Sequence, residues 1–284
     1  MMTIQWIGPK SGLGNRILAL GSVLALSKSL QSTIVFPWRV QPDCPAEYNE
    51  LFEEMPGIRI DNLLKSSDSL IMTSWEPIGI FQSFKKALKH QISLEEYCFY
   101  FIEALRSLRY SDLIMDRLNS HYSQIQNNKN LAIHLRRTDR LAYHKNSLQG
   151  LLSTKHHKRK KSFLTIKSTG LYKALQYSLL PISSIRDMEN NYLAKICEKS
   201  LNEDRDLTYS IYADSHQELL TLQQQIRSRI ASAERLYIPS YCNSPESQLW
   251  GTFGKRNTSI QNALIELLGM SRSIGILQNI SVSS

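Results

Sequence analysis

Apolar positions along this chain switch between a spacing of two and a spacing near 3.6, a pattern that predicts strands alternating with helices. Thr3 to Ile7 reads as a first strand, and Gly12 with Gly14 as the turn that follows. A helix beginning near Asn15 or Arg16 then carries Ile17, Leu20 and Leu24 on one stripe. Ala19, Gly21, Ser22 and Ala25 are small, which predicts close approach of this helix to a sheet. Thr33 to Phe36, stopped by Pro37, supplies a second strand and completes a βαβ unit. A turn-rich stretch around Pro42, Pro45 and Pro56 leads to another apolar run at Leu70 to Met72. From Lys85 to Tyr122 the pattern is mostly helical, with Leu88, Ile92, Tyr97, Phe101, Leu105 and Leu108 as expected core. Gln124 to Asn130 is polar and turn-like, and reads as a linker between residues 1–125 and 126–284.

The second part alternates more clearly. Leu131, Ile133 and Leu135 form a strand that breaks abruptly into His134, Arg136, Arg137 and Asp139. A long polar and basic excursion follows, then helices over 171–180 and 185–201. Tyr209 to Ala213 is the next strand, ending at Asp214, with a helix over 217–230 behind it. Leu236 to Ile238, a helix over 259–270 and a last strand over 274–280 complete the series. Strands separated by helices require parallel crossovers, so this part is expected to be Rossmann-like. The fold class is α/β.

Strand parity divides the polar residues at the end of the arginine strand. His134, Arg136 and Thr138 share one face, while Leu135, Arg137 and Asp139 share the other. Guanidinium groups are rigid forks of donors that match phosphate geometry. Function in open α/β sheets gathers beyond the carboxyl ends of strands. Arg136 is therefore the candidate phosphate ligand, and Arg137 with Asp139 a candidate supporting pair. The bland alternative is a solvated basic cluster.

Composition narrows the class without naming a substrate. The chain has 284 residues, is 42% hydrophobic and carries a formal net charge of +9. That is enough for one large or two medium domains with real cores. No apolar run reaches the ~18–20 residues of a membrane span. The amino terminus lacks a secretion-signal pattern, and the four cysteines, Cys44, Cys98, Cys197 and Cys242, show no CxxC pairing. Reduced thiols in the cytoplasm are expected. The positive charge favours anionic partners and leaves peripheral contact with a membrane surface open. Lys155 to Lys161 is a dense basic run that reads as a solvated loop or, less commonly, as a nucleic-acid contact. His156 and His157 lack metal-ligand spacing, and no metal is inferred.

The segment His134-Leu-Arg-Arg-Thr-Asp139 resembles the HxRRxD signature of the α1,6-fucosyltransferases and the related NodZ-like enzymes. Ser11-Gly-Leu-Gly-Asn-Arg16 is similar to their glycine-rich opening turn, and residues 260–272 to the helix before their last site strand. Residues 276–284 resemble the start of their serine-rich stretch, which brings in Ser281, Ser283 and Ser284. The resemblance implies two Rossmann-like domains in a GT-B arrangement, acceptor side first and GDP-sugar side second. It implies inverting, metal-independent transfer of fucose from GDP-fucose, or of another GDP-sugar, to a saccharide or glycolipid acceptor, as in the making of bacterial surface polysaccharides. No cofactor and no nucleic-acid partner are expected on this reading. Arg136 assisted by His134 would stabilise the departing diphosphate, and Asn15 with Arg16 would lie near the sugar or acceptor.

Several of these residues carry competing explanations. Gly12 and Gly14 could form a purely structural turn, and a dinucleotide site is disfavoured because Ile17 replaces the third glycine. Asp214 could be a site residue or the N-cap of the next helix. Glu266 could receive the guanine edge, where relatives usually carry Asp, or lie on the helix's outer stripe. Beyond the arginine motif, Arg140-Leu-Ala-Tyr-His144 has Arg and His where the α1,6 enzymes have Lys and Glu. His144 is thus a candidate base or a loop histidine, and the acceptor linkage is left open. The chain stops at Ser284, inside the serine segment, which reads either as a second domain shortened at its carboxyl end or as a fragment with an incomplete pocket. A non-catalytic basic binding protein, either a decayed transferase or a nucleic-acid binder, is the alternative class.

Overall fold

The computed structural model describes residues 2–6, 12–62, 70–72, 76–88, 92–123, 125, 129–135, 182–230, 233–238 and 259–278. They form two compact units. The first comprises Met1–Ser120 with Ser259–Ile265, and the second runs from His121 and takes in Glu266–Ser284.

The first unit is built on β1 (Met2–Trp6), β2 (Ile34–Phe36), β3 (Ile58–Ile60) and β4 (Leu70–Met72). They are all parallel, in the order β3-β2-β1-β4. Helix α1 (Leu13–Leu30) connects β1 to β2, and its buried residues occupy nearly every side, including Leu20, Val23 and Leu26. A helix apolar all round must be covered all round. It packs against the sheet and against α3 (Pro77–Leu88) and α4 (Leu94–Arg106). Gly21 serves that helix pairing: a Cβ there would lie 2.7 Å from Leu105 Cδ2 and 3.2 Å from Phe101 Cε2. The close approach expected toward a sheet is, at Gly21, an approach to α4.

Two expectations need correction. Helix α1 begins at Leu13, so Gly14 lies inside its first turn and only Gly12 precedes it. Strand β3 falls in the stretch read as turns, because Arg59 interrupts its two isoleucines and leaves no apolar run to detect. The helical run expected over 85–122 contains several helices: α3 ends at Leu88, α4 spans Leu94–Arg106 and α5 spans Asp112–Ser123. Ser93 caps α4 by accepting from the Glu96 N–H at 3.0 Å. The proline-rich stretch also contains a short helix, α2 (Tyr48–Leu51), and is held by the buried Trp38, whose Nε1 donates to the Ala46 carbonyl at 3.0 Å. Trp38 packs edge-on against Tyr48 and Phe52, each at 5.7 Å between centroids.

Gly57 has φ +90°, and a Cβ at this position would collide with Ser27 Oγ. Its carbonyl accepts from the Ile34 N–H at 2.9 Å, so the turn feeds directly into the β2–β3 pairing. Gly57→Ala is expected to destabilise the protein by about 2 kcal/mol, combining left-handed backbone strain with the clash. Denaturant unfolding measures it, and an unchanged midpoint contradicts it.

The second unit contains β5 (Asn130–Leu135), β6 (Thr208–Ala213), β7 (Leu236–Tyr237) and β8 (Gly275–Gln278). They are parallel in the order β7-β6-β5-β8, the same arrangement as in the first sheet. Helices α6 (Ile182–Glu203) and α7 (His216–Arg227) cover one face of the second sheet. There Ile133, Leu135, Tyr209, Ile211 and Ala213 meet Leu193, Ala194, Cys197, Leu219, Leu222 and Ile226 in one buried cluster. Helix α8 (Ile260–Ser271) precedes β8, and its Met270 joins Ala132 and Tyr212 in a small separate cluster. The expected helix over 171–180 lies outside the described residues.

Candidate functional site

Strand β5 behaves as its alternation predicts. Leu131, Ile133 and Leu135 face the α6/α7 core, which leaves Asn130, Ala132 and His134 on the other face. Asn130 fixes the amino end of the strand. Its Oδ1 accepts from Ser210 Oγ at 3.0 Å and Thr208 Oγ1 at 3.3 Å, while its Nδ2 donates to Ser273 Oγ at 3.1 Å. Asn130 is therefore part of the strand itself, bonded on both flanks.

At the carboxyl end, His134 stands beside Tyr212 on β6 and Gln278 on β8 and is half-buried. This is the reversal point of the sheet. The chain moves from β5 outward to β6 and β7, then returns to β8 on the opposite side of β5. Open α/β sheets bind ligands outside the carboxyl ends of strands at such a point. The first sheet repeats the feature: β1 leads outward to β2 and β3, with β4 on its other side, and the glycine turn follows β1. Arg136, Arg137, Asp139 and His144 follow β5 in sequence but lie outside the described residues, as do Ser281, Ser283, Ser284, Cys242 and the basic run over 155–161.

Asp214 is buried one residue beyond β6, and its N–H donates to the Leu135 carbonyl at 3.2 Å. The helix-capping explanation for it fails, because the N-cap of α7 is Ser215. Glu266 is only 1% exposed, so it does not lie on an outer stripe; Leu267 takes that position. Glu266 adds to the electrostatic environment of Tyr212, whose phenol is pushed far above its usual range, chiefly by burial.

In the first unit, Gly14 and Asn15 are exposed in the opening turn of α1. Gly12 is extended, and neither it nor Gly14 has a positive φ. A Cβ at Gly14 would meet nothing within 4 Å, so contacts with the rest of the protein do not demand glycine there. Arg16, expected near the sugar or acceptor, is bonded within its own unit. It is 2% exposed, and its guanidinium donates to the Arg39 carbonyl at 2.7 Å and to Gln41 Oε1 at 3.0 Å while lying 5.2 Å over the Trp38 ring. Burial lowers its pKa, partly offset by Cys44 and Asp43. In this structure Arg16 holds the loop that follows β2.

A polar cluster that sequence reasoning missed lies on the His134 face. His121 is 3% exposed, with Nε2 2.8 Å from the Tyr212 hydroxyl and Nδ1 3.3 Å from the Tyr237 hydroxyl. Tyr122 next to it donates to the Leu268 and Gly269 carbonyls at 3.2 and 3.1 Å and stacks under Arg272. Gly269 is required here, since a Cβ would strike the Tyr212 hydroxyl and lie 2.9 Å from its Cζ. No local signal marks His121, because its partners lie far away in the chain.

Cys44 and Cys197 are buried free thiols pushed up to about 11 and about 12 by burial, and are therefore poor nucleophiles; Cys98 is also free. Among the described residues, no group of His, Cys, Asp and Glu could hold a metal ion, and no helix is long and apolar enough to cross a membrane.

No family model and no curated protein matches the sequence. Solved structures of NodZ α1,6-fucosyltransferase match the chain over nearly its whole length. The form co-crystallized with GDP is 10% identical, with 99% of this chain and 89% of that chain covered at a TM-score of 0.47. The form soaked with GDP-fucose is 11% identical, with 99% and 89% covered at 0.46. NodZ from Bradyrhizobium is 11% identical, with 97% and 87% covered at 0.45.

Proposed function

We propose that this chain is an inverting, metal-independent glycosyltransferase that moves fucose from GDP-fucose to a saccharide acceptor. The observation that carries the reading is the position of His134, the first residue of the HxRRxD motif, at the carboxyl end of β5 and the reversal point of a parallel sheet; Arg136 to Asp139 follow it in sequence. The acceptor hydroxyl oxygen attacks the anomeric carbon as the bond from that carbon to the diphosphate oxygen breaks. GDP departs with the electron pair, and the hydroxyl proton passes to a base, for which His144 is the candidate. Arg136, in phase with His134, neutralises the charge that develops on the diphosphate, a task other transferases give to a divalent ion. Asp214, beside the end of β5, and Glu266, the candidate for the guanine edge, complete the donor side. Gly12, Gly14 and Asn15 are the candidate acceptor-side residues of the first unit, and Arg16 holds the loop that follows β2.

A thermal-shift panel of GDP, ADP and UDP tests the reading. Selective stabilisation by GDP is expected, because a ligand at 100 times its Kd adds about 2.7 kcal/mol. An equal response to any polyanion, lost in moderate salt, contradicts it and supports general anion binding.

A further inference from the structure

On the His134 face of the second sheet, one tyrosine spans the gap between the strands and a helix. Tyr212 pairs with His134 across β6 and β5, and parity puts both side chains on that face. Tyr212 is buried and packs with Ala132 of β5 and Met270 of α8. Its hydroxyl lies 2.8 Å from His121 Nε2, and the other nitrogen of that imidazole lies 3.3 Å from the Tyr237 hydroxyl on β7. The phenol is therefore fixed at both ends, by the strand backbone and by a buried histidine. No water stands ready to replace a hydrogen bond in such a place, so moving the tip is costly.

That fixed tip rests on the backbone of α8. A Cβ at Gly269 would strike the Tyr212 hydroxyl and stand 2.9 Å from Cζ and 3.2 Å from Cε1. Next to His121, Tyr122 donates to the Leu268 and Gly269 carbonyls, which belong to the last turn that a helix leaves unpaired. Tyr122 thus draws α8 in, and the phenol of Tyr212 stops it. Glu266 lies three residues before Gly269, on the same side of the helix. It is 1% exposed and belongs to the electrostatic surroundings of the same phenol. All of these residues are in the second unit.

We infer that Tyr212 and His121 are positioning residues, a fixed spacer that seats on Gly269 and sets where α8 presents Glu266 to the base of the nucleotide. The inference rests on the function proposed above, with Glu266 at the guanine edge. Selectivity for guanine then depends on a contact that touches no nucleotide. The distances give its scale. Carbon atoms in contact sit ~3.5–4.0 Å apart, so a methyl at Gly269 must lift the helix by roughly 0.5–1 Å. A binding geometry tolerates only ~0.5 Å.

Gly269→Ala tests it. Within a helix, Ala ordinarily stabilises relative to Gly, so a lowered unfolding midpoint separates the spacer from helix propensity. Isothermal titration well below that midpoint then compares GDP with UDP, which share a diphosphate and differ in the base. Gly269→Ala is expected to weaken GDP by about tenfold and to leave UDP nearly unchanged. Tyr212→Phe removes the atom that the methyl strikes, so adding it to Gly269→Ala should recover part of the lost GDP affinity. On its own, Tyr212→Phe should lower the preference for GDP through loss of the His121 bond; His121→Gln should do the same and add nothing to it. If Gly269→Ala does not fold, those two variants and their combination carry the test. A stable Gly269→Ala with wild-type affinity for GDP overturns the inference, as does equal loss of GDP and UDP. A wild-type protein with no preference for GDP removes the function proposed above and this inference with it, so the two failures are distinguishable.

Discussion

Arg136→Ala is expected to reduce transfer from GDP-fucose by about 10²–10³-fold, the loss seen when a preorganised donor is removed from developing charge. Arg136 is in phase with His134, which stands at the carboxyl end of β5 on the face away from the α6/α7 core. A diphosphate leaving at this edge gains charge as the glycosidic bond breaks. A guanidinium fixed in place stabilises that charge more than it stabilises the ground state, so the effect should fall on kcat as well as on KM. Arg137→Ala should behave differently. In phase with Ile133 and Leu135 by strand parity, it is expected to act mainly on stability. Steady-state kinetics and denaturant unfolding on both variants separate the roles. Equal activity of Arg136→Ala and wild type contradicts the assignment.

Acid should destabilise the protein through His121 by an amount on the order of 3 kcal/mol. Burial lowers the pKa of this imidazole from 6.5 to about 4. The unfolded chain therefore binds a proton in a range where the folded protein does not. Stability from His121 is fully present above pH 6.5 and is lost as pH falls toward about 4. The groups hydrogen-bonded to the ring are the Tyr212 and Tyr237 hydroxyls, and Tyr122 packs edge-on beside it. A neutral imidazole donates through one nitrogen and accepts through the other, whereas imidazolium can only donate and would lose its acceptor role toward one of them. His121→Gln removes the titration, so its stability should fall less steeply across this window. Carboxylates contribute equally to both proteins, and identical slopes contradict the prediction.

The elements that proved readable in advance are those whose neighbours in sequence are also neighbours in space. The alternation of Leu131, Ile133 and Leu135 gave both the strand and its buried face, and the parallel pairing of the second sheet followed from helices intervening between its strands. Strand β3 was hidden because three residues with a central arginine carry no periodicity of their own. The start of α1 was displaced because Gly14 reads as a turn residue, yet it sits in a helical first turn. At the site, Asp214 and Glu266 were visible as polar residues in apolar surroundings, but their burial was not. His121 was invisible. His121 meets Tyr212 across 91 positions. Arg16 shows the converse: its local motif pointed to a ligand, while Arg39, Gln41 and Trp38, more than twenty positions on, take up its guanidinium.

The most direct test of the central claim is a crystal structure with GDP bound. The diphosphate should rest at the carboxyl end of β5, beside His134, with the Arg136 guanidinium bonded to its oxygens. Electron density for the nucleotide at another edge of the sheet, or the Arg136 guanidinium turned away from it, would contradict it.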